Sequence, residues 1–581
     1  MRRIALACFS ALALAACQNH DQDKTAPAAA STAPARPSTA PPPPLPAVAN
    51  EKHDFTPDIT AGDFAAHLRV ISSDEYDGRK PGTLGERLTT NYIIAAFKAA
   101  GLQPGNKGEW VQTVPAVSTD LTGQDSLKLT VAEGGGTEAF AFGKDMVVGT
   151  LQAKADVELK DSDIVFAGYG VDAPEAQWND FDGVDVKGKT VIVLVNDPGW
   201  NGNDPKLFKG REMTYYGRWT YKFEEAARQG AAAVFIVHQT EPAAYGWNVV
   251  QSGWTMPRLD LPESESPAPR VPVAGWLTHE AAQRLFAKAG KNFDDLAKQA
   301  DVRGFKAVPL DAKANIQLHS NITVSLSNNV IGMVKGTEKP DEAVVYTAHW
   351  DHLGHDPALK GHQIYNGAID NGTGIAALLE IAAKFGQEKP KRSVVFAAVT
   401  MEESGLLGSA YYVAHPPFPL NKTVADINMD ALAIGGATKD MIVTGLGQGT
   451  LEDTLADVLK ADNRVVAGDA SPEKGHYFRS DHFNFAKAGV PALAAGGGID
   501  WVKGGKAAGQ AAADDYNKNR YHQPTDVYDI RWDFTGVMQN VMAYYKVGDK
   551  LANSDEWPTW KDGSEFKAIR EKSLASGNKK K

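Results

Sequence analysis

The chain has 581 residues, more than one hydrophobic core ordinarily covers, so two domains or more are expected. With 43% hydrophobic and 23% charged residues the composition is globular, and a formal net charge of -11 excludes a general nucleic-acid binder, which needs a basic surface. The only cysteines, Cys8 and Cys17, lie at the extreme N-terminus, leaving the folded part no disulfide, thiolate metal ligand or cysteine nucleophile.

Arg2 and Arg3 precede an apolar run from Ile4 to Ala16, too short to span a bilayer but of signal-peptide length. It ends in Leu14-Ala15-Ala16-Cys17, which resembles a bacterial lipobox and implies a lipoprotein signal peptide at 1–17 with lipid attached to Cys17. The alternative is an ordinary secretory signal with an incidental cysteine. Gln18 after the cysteine resembles outer-membrane sorting in Gram-negative bacteria, so the expected location is exported and lipid-anchored, facing periplasm or cell surface. Residues 18–50, rich in Ala, Pro, Ser and Thr, cannot bury a core and read as a disordered tether.

Folded sequence begins near 55. "TLGERLTTNYIIAAFKAAGLQP" carries a capping box (Thr83 with Glu86), an apolar stripe (Leu88, Tyr92, Ile93, Phe97) and Gly101 as a stop, which predicts an amphipathic helix. Residues 51–154 are assigned to a first part of the main domain. From 155 to 310 the texture changes: "KTVIVLVND" and "GAAAVFIVH" read as buried strands with "YKFEEAARQG" as the helix between them. From 311 to 552 strands and helices alternate through "AVVYTA", "GTGIAALLEIAAKFG", "RSVVFAAVT", "SGLLGSAYYVAH" and "VADINMD", which predicts an α/β fold with a mostly parallel mixed sheet sandwiched by helices. Residues 553–581 read as a polar, frayed tail.

In open α/β sheets the ligand site lies beyond the carboxyl ends of the strands. Successive segments place His349 and Asp351, Asp370, Glu402 and Glu403, and Asp430 at such ends, with His522 in "RYHQPTD". Carboxylates gathered in a partly dry cleft repel and are costly to desolvate unless a cation joins them. A pair of divalent ions resolves this, and a nitrogen and oxygen donor set without thiolate suits zinc at a catalytic site.

The ordered set "AHWDHLG", "GAIDNGTG", "MEESGLLGS", "INMD" and "YHQPTD" resembles the co-catalytic di-zinc exopeptidase family of bacterial leucyl aminopeptidases and glutamate carboxypeptidase, and "VKGKTVIVLV" with "EEAARQGAAAVFIVH" resembles a protease-associated domain, β-rich and α+β, inserted at 155–310. "DGRKPGTLGE" and "SNNVIG" resemble the family's first helix and first strand approaches. The resemblance implies two Zn2+ per chain, His349 and Asp430 on one, Glu403 and His522 on the other, and Asp370 across both. It implies Glu402 as general base for a metal-bridged hydroxide, Asp351 behind His349 accepting its other N–H, and Tyr521 donating to the oxyanion. Arg479, Ser480 and His482 fall in a segment expected to touch substrate.

Each residue has a plainer reading. Asp426 competes with Asp430 and His482 with His522; Glu402 and Glu403 have the reading of a solvated acidic pair; His352, His355 and His362 read as loop histidines. Where the family often has a β-branched residue or Met after the last carboxylate ligand, Ala431 and Leu432 follow Asp430. The expected function is a zinc aminopeptidase acting on peptide N-termini. A carboxypeptidase of the same fold with Arg479 receiving a carboxylate, an inactive binding scaffold, and a single-zinc glutaminyl cyclase are the alternatives. Peptides are the expected partners, the membrane enters only through the lipid anchor, no nucleic acid is expected, and the oligomeric state stays open.

Overall fold

The computed structural model describes residues 53–134, 136–202 and 205–578. The expected signal segment with Cys17 and the tether 18–50 lie outside the described residues.

Four strands run parallel through the centre of the main sheet in the spatial order Arg392–Val399, Lys339–His349, Thr423–Asn428 and Ala492–Gly497. The antiparallel strand Val308–Val334 closes one side, and Asp440–Val443 the other. Side chains alternate between the faces. Val344, Tyr346, Ala348, Phe396 and Ile427 pack under the helices Ala61–Ile71, Leu84–Ala99, Thr373–Gly386 and Thr535–Asn553. Val345, Val395 and Ala397 face Leu407–Ala414 and His482–Lys487 through Tyr412 and Phe485. Burial on both faces is why these strands read as unbroken apolar runs. The capping at Leu84–Ala99 is a variant of the expected box: Thr83 Oγ1 accepts from Gly85 N (3.1 Å), while Glu86 Oε2 accepts from Gly82 N (2.6 Å).

A second sheet sits in the insert, where Asp156–Phe166, Thr190–Leu194, Ala233–Val237 and Val273–Leu277 run parallel. Its edges differ from the boundaries at 154 and 310. Met146–Gly149 pairs with Val273–Leu277, and Lys128–Glu133 pairs with residues 313–315, so this sheet takes up residues assigned above to the main domain. Val308–Val334 is one strand of 27 residues: its first part pairs in the insert's sheet, and residues 320–330 pair with Val111–Leu121 in the main sheet. No turn signal marks that passage, because the backbone stays extended while its partners change.

The C-terminal segment is a second difference. Trp560 and Phe566 are buried, Trp560 Nε1 donates to Gly489 O (2.9 Å), and Arg570 donates to Leu420 O and Thr423 O. Two aromatic anchors in a polar stretch hold it against the fold where a frayed tail was expected. Among the described residues no helix is long and apolar enough to cross a membrane.

Candidate metal centre

Three parallel strands stop at one level. His349 is in register with Val399, and Thr347 with Asn428. Trp350 N then donates to Val399 O (2.9 Å) and Met429 N to Thr347 O (2.8 Å), which carries the pairing one step past the strands before the loops open. His349, Glu402, Glu403 and Asp430 are thereby delivered to the same edge.

Asp370 comes from the turn before the helix Thr373–Gly386. The buried carboxylate of Asp526, four residues after His522, accepts from Ile369 N and Asp370 N (3.0 and 3.1 Å). Asn371 Nδ2 donates to Met429 O, and its Oδ1 accepts from Gly374 N and Ala431 N. Gly374 is required here: a Cβ would lie 2.2 Å from Asn371 Oδ1 and 2.3 Å from Met429 O. Beneath the turn, the buried Arg79 guanidinium donates to the carbonyls of Ile71, Trp350, Asn366 and Gly367. Neither Asp526 nor Arg79 was singled out from sequence, although each lies inside a motif quoted above.

The donors converge as two sets that share Asp370. His349 Nε2 lies 3.3 Å from Asp370 Oδ1 and 3.1 Å from Asp430 Oδ1. His522 Nε2 lies 3.2 Å from Asp370 Oδ2 and 3.1 Å from Glu403 Oε2. One carboxylate thus offers an oxygen to each imidazole, the arrangement a bridging ligand needs. The electrostatics favour positive charge throughout. Burial alone would lower the His349 pKa, yet Asp430 and Glu402 carry it well above the usual value, and against the same burial Asp370 and Glu403 hold His522 up at about 10. Burial would raise Asp370 and Glu403, but the imidazoles keep Asp370 well below the ordinary carboxylate range and Glu403 at about 2. Carboxylates held ionised around two imidazoles, with no thiolate, fit zinc.

Glu402 stands outside both sets. Its Oε2 is 4.0 Å from His349 Nε2, and burial, with Asp430 and Glu403 adding to it, pushes its pKa well up against the pull of His349. Asp351 plays a different part from the one expected. His349 Nδ1 lies 3.1 Å from the Asp351 carbonyl oxygen and 3.8 Å from its carboxylate, so the ring's second nitrogen is fixed by main chain. The carboxylate instead accepts from Glu402 N (3.1 Å) and Glu403 N (3.4 Å) and fixes the turn that carries both glutamates. Burial raises Asp351 to about 7.

His352, read as a loop histidine, is buried and its Nδ1 lies 2.6 Å from Glu403 Oε1, leaving Glu403 Oε2 for His522. Its donor atom also falls within 4.8 Å of those of Asp370 and Glu403. A histidine three residues past His349 was indistinguishable from its neighbours His355 and His362 by spacing. Asp426 is buried on its strand, accepting from Thr347 Oγ1 (2.9 Å). Tyr521, 38% exposed, stacks on the His522 ring with centroids 4.0 Å apart.

The segment expected to touch substrate divides. Ser480 Oγ donates to Asp430 Oδ2 (2.6 Å) and accepts from Asn428 Nδ2 (2.7 Å), so it steadies that carboxylate. His482, expected at the substrate, is 1% exposed and turned into the core against the edge-on ring of Tyr477; burial depresses it to about 4. Arg479 is exposed and donates to Lys474 O (2.7 Å).

Residues 329–546 match Peptidase family M28, which bears out the resemblance drawn from the five site motifs; the insert at 155–310 lies outside the matched residues. The chain is 33% identical over 137 residues to Aminopeptidase NAALADL1 of Mus musculus, covering 22% of this chain and 17% of that protein. It is 34% identical over 286 residues to a Glutamate carboxypeptidase 2 homolog of Caenorhabditis briggsae, covering 43% of this chain and 35% of that protein. The chain therefore spans about a third or less of these curated relatives. Among solved structures it is similar to an aminopeptidase from Aneurinibacillus sp. strain AM-1, with TM-score 0.46, 20% identity and coverage of 86% of this chain and 95% of that one.

Proposed function

We propose, on the premise that residues 329–546 match Peptidase family M28, that the protein is a zinc-dependent exopeptidase that removes N-terminal residues from peptides. The observation that carries this reading is the placement of Asp370 between His349 and His522 with Glu402 just outside both donor sets. His349 and Asp430 would hold one zinc and Glu403 and His522 the other, with Asp370 shared. The ions supply, when bound, the charge that acidifies a water and polarises the scissile carbonyl.

The remaining work falls to the chain. Glu402 takes a proton from the attacking water and returns it to the leaving amine, so the carbon–nitrogen bond breaks with no net proton change at the enzyme. Its raised affinity for a proton suits the second half of that exchange. Asp351 keeps the Glu402–Glu403 turn in place, and Ser480 keeps Asp430 turned toward His349. The Tyr521 hydroxyl, at the exposed rim, donates to the oxygen that gains charge. The carboxylates of Glu402 and Asp430 receive the substrate ammonium group.

The test uses zinc-loaded protein and aminoacyl-nitroanilides. Free-amine substrates are cleaved, N-acetylated ones are not, and Glu402→Gln lowers kcat by about 10²–10⁴. Equal cleavage of the blocked substrate would overturn the aminopeptidase reading, release of the C-terminal residue from an N-acetylated peptide with no nitroanilide cleaved would point to the carboxypeptidase reading, and an undiminished Glu402→Gln would remove the general-base role. We also infer that the chain is exported and lipid-anchored at Cys17 and that its insert is of the protease-associated kind. Radiolabelled palmitate incorporated by the wild type and not by Cys17→Ser checks the anchor.

A further inference from the structure

The strand Val308–Val334 is paired without a break along one side and with a gap along the other. From 320 to 330 its register with Val111–Leu121 runs unshifted. On the opposite side Asp156–Phe166 pairs with it only as far as His319, and Arg392–Val399 joins it only at Val330. Among the described residues, 321–327 have no strand on that side, which leaves a notch of about 23 Å at the rise of a strand.

The main-chain groups that point into the notch follow from the period of two. His319 O accepts from Thr122 N (2.8 Å) and Ile331 N donates to Trp110 O (2.8 Å), so the odd-numbered residues between them turn toward Val111–Leu121. The even-numbered ones turn away. Ser320 N donates to Ala155 O (2.7 Å) at one end of the notch, and Asn328 O accepts from Trp350 Nε1 (2.9 Å) at the other. Ile322, Val324 and Leu326 lie between, and among the described residues nothing accepts from their N–H groups or donates to their carbonyls. Their side chains share one face, with Val324 71% and Leu326 59% exposed. Proteins guard an open edge with charge, proline or a bulge, and "NITVSLS" at 321–327 has none of these.

The shape of the notch selects its occupant. A second copy of the chain would bring its own 27-residue strand, which runs into Asp156–Phe166 at one end and Arg392–Val399 at the other. A short extended peptide meets neither. The notch also ends at the metal centre: Thr400 N donates to Asn329 Oδ1 (3.0 Å), Ser327 Oγ lies 2.6 Å from Thr400 Oγ1, and Glu402 follows two residues later. Trp350, whose indole reaches Asn328, follows His349.

Resting on the exopeptidase reading, we propose that residues 321–327 bind the substrate as an added strand, its N-terminus at the metal centre and its following residues hydrogen-bonded to Ile322, Val324 and Leu326. Leaving the metal centre toward Asn321, the peptide runs antiparallel to Val308–Val334. Main-chain groups give affinity for any extended sequence, and apolar residues at alternate positions pack beside the three side chains of the exposed face. The substrate class this favours is unstructured peptides of about six residues or more rather than dipeptides.

The test sets a leucyl octapeptide, alternating threonine and valine and ending in lysine, against leucyl-threonine amide on zinc-loaded wild type. KM for the octapeptide is lower by about tenfold or more, and N-methylation of one amide at a time beyond the scissile bond raises it at every second position. Val324→Pro removes an N–H that faces the notch and spares the ladder to Val111–Leu121. In that variant the octapeptide loses its advantage while leucyl-nitroanilide, too short to reach the edge, is cleaved at the wild-type rate. Equal KM values for the two peptides, N-methyl losses without alternation, or a length advantage that survives Val324→Pro overturns the proposal. Should the variant also lose the nitroanilide, the N-methyl series on the wild type decides. If the wild type cleaves neither the peptides nor the nitroanilide the exopeptidase reading falls instead, and calorimetry of the same peptides on Glu402→Gln protein still decides the strand edge.

Discussion

At Asp351 one buried carboxylate spans the backbone N–H groups of Glu402 and Glu403. An amide there turns at least one donor toward a donor, so Asp351→Asn should loosen the turn and lower kcat or zinc affinity by roughly 10–100-fold. Zinc stoichiometry and kcat measured side by side check this, and two unchanged values would sink it. A second buried acid lies away from the metal centre. Glu380 accepts from Thr60 N (2.8 Å), and burial raises it to about 8, while burial holds its neighbour His67 at about 3. The native state therefore keeps a proton on Glu380 that the unfolded chain has released above about pH 5, so stability falls as pH rises toward 8, by at most ~1.4 kcal/mol per unit. Glu380→Gln keeps the bond to Thr60 and removes the titration. Its advantage over the wild type should grow by about 2–3 kcal/mol between pH 6 and 8.5 in urea unfolding, and an advantage independent of pH would contradict the assignment.

The loops that carry the ligands are built with unusual backbone. Met401, Ala431 and His522 all have positive φ (53°, 47° and 55°), each next to or at a proposed site residue. Ala431 explains the departure from a β-branched residue noted in the sequence: a side chain branched at Cβ is poorly tolerated at φ 47°, whereas alanine is small enough. Ala431→Val should therefore cost about 1–3 kcal/mol of stability and weaken zinc retention through Asp430, read by thermal melting and metal analysis. Full retention of both would mean that the loop relaxes freely.

Across the whole molecule the insert and the main domain share a core. Tyr215, Tyr221 and Met213 of the insert belong to one buried cluster with Tyr477, Phe478, Phe483, Trp560 and Phe566. Such an apolar contact, with a 27-residue strand common to both sheets, couples the two parts. Calorimetry should show one unfolding transition, and two well-separated transitions would show that the parts fold independently. Stripping the metal should lower Tm, because zinc at about 100 times its Kd contributes ~2.7 kcal/mol to the native state. An identical Tm before and after chelation would mean that the acidic cluster holds no ion.

Alternating apolar runs and loop residues at strand ends were enough, from sequence, to predict a helix-covered parallel sheet with His349, Asp370, Glu403, Asp430 and His522 at one edge. Those features are local, since periodicity records which faces are buried and the order of motifs records which strand each group follows. What had to wait for the fold was every property set by a partner distant in the chain. The passage of one strand between two sheets, the turn of His482 into the core, the recruitment of His352 to Glu403 and the duty of Asp351 all depend on where a side chain is aimed and what lies across from it. A linear pattern fixes neither, because direction and neighbour are decided only when the loops close over a common centre.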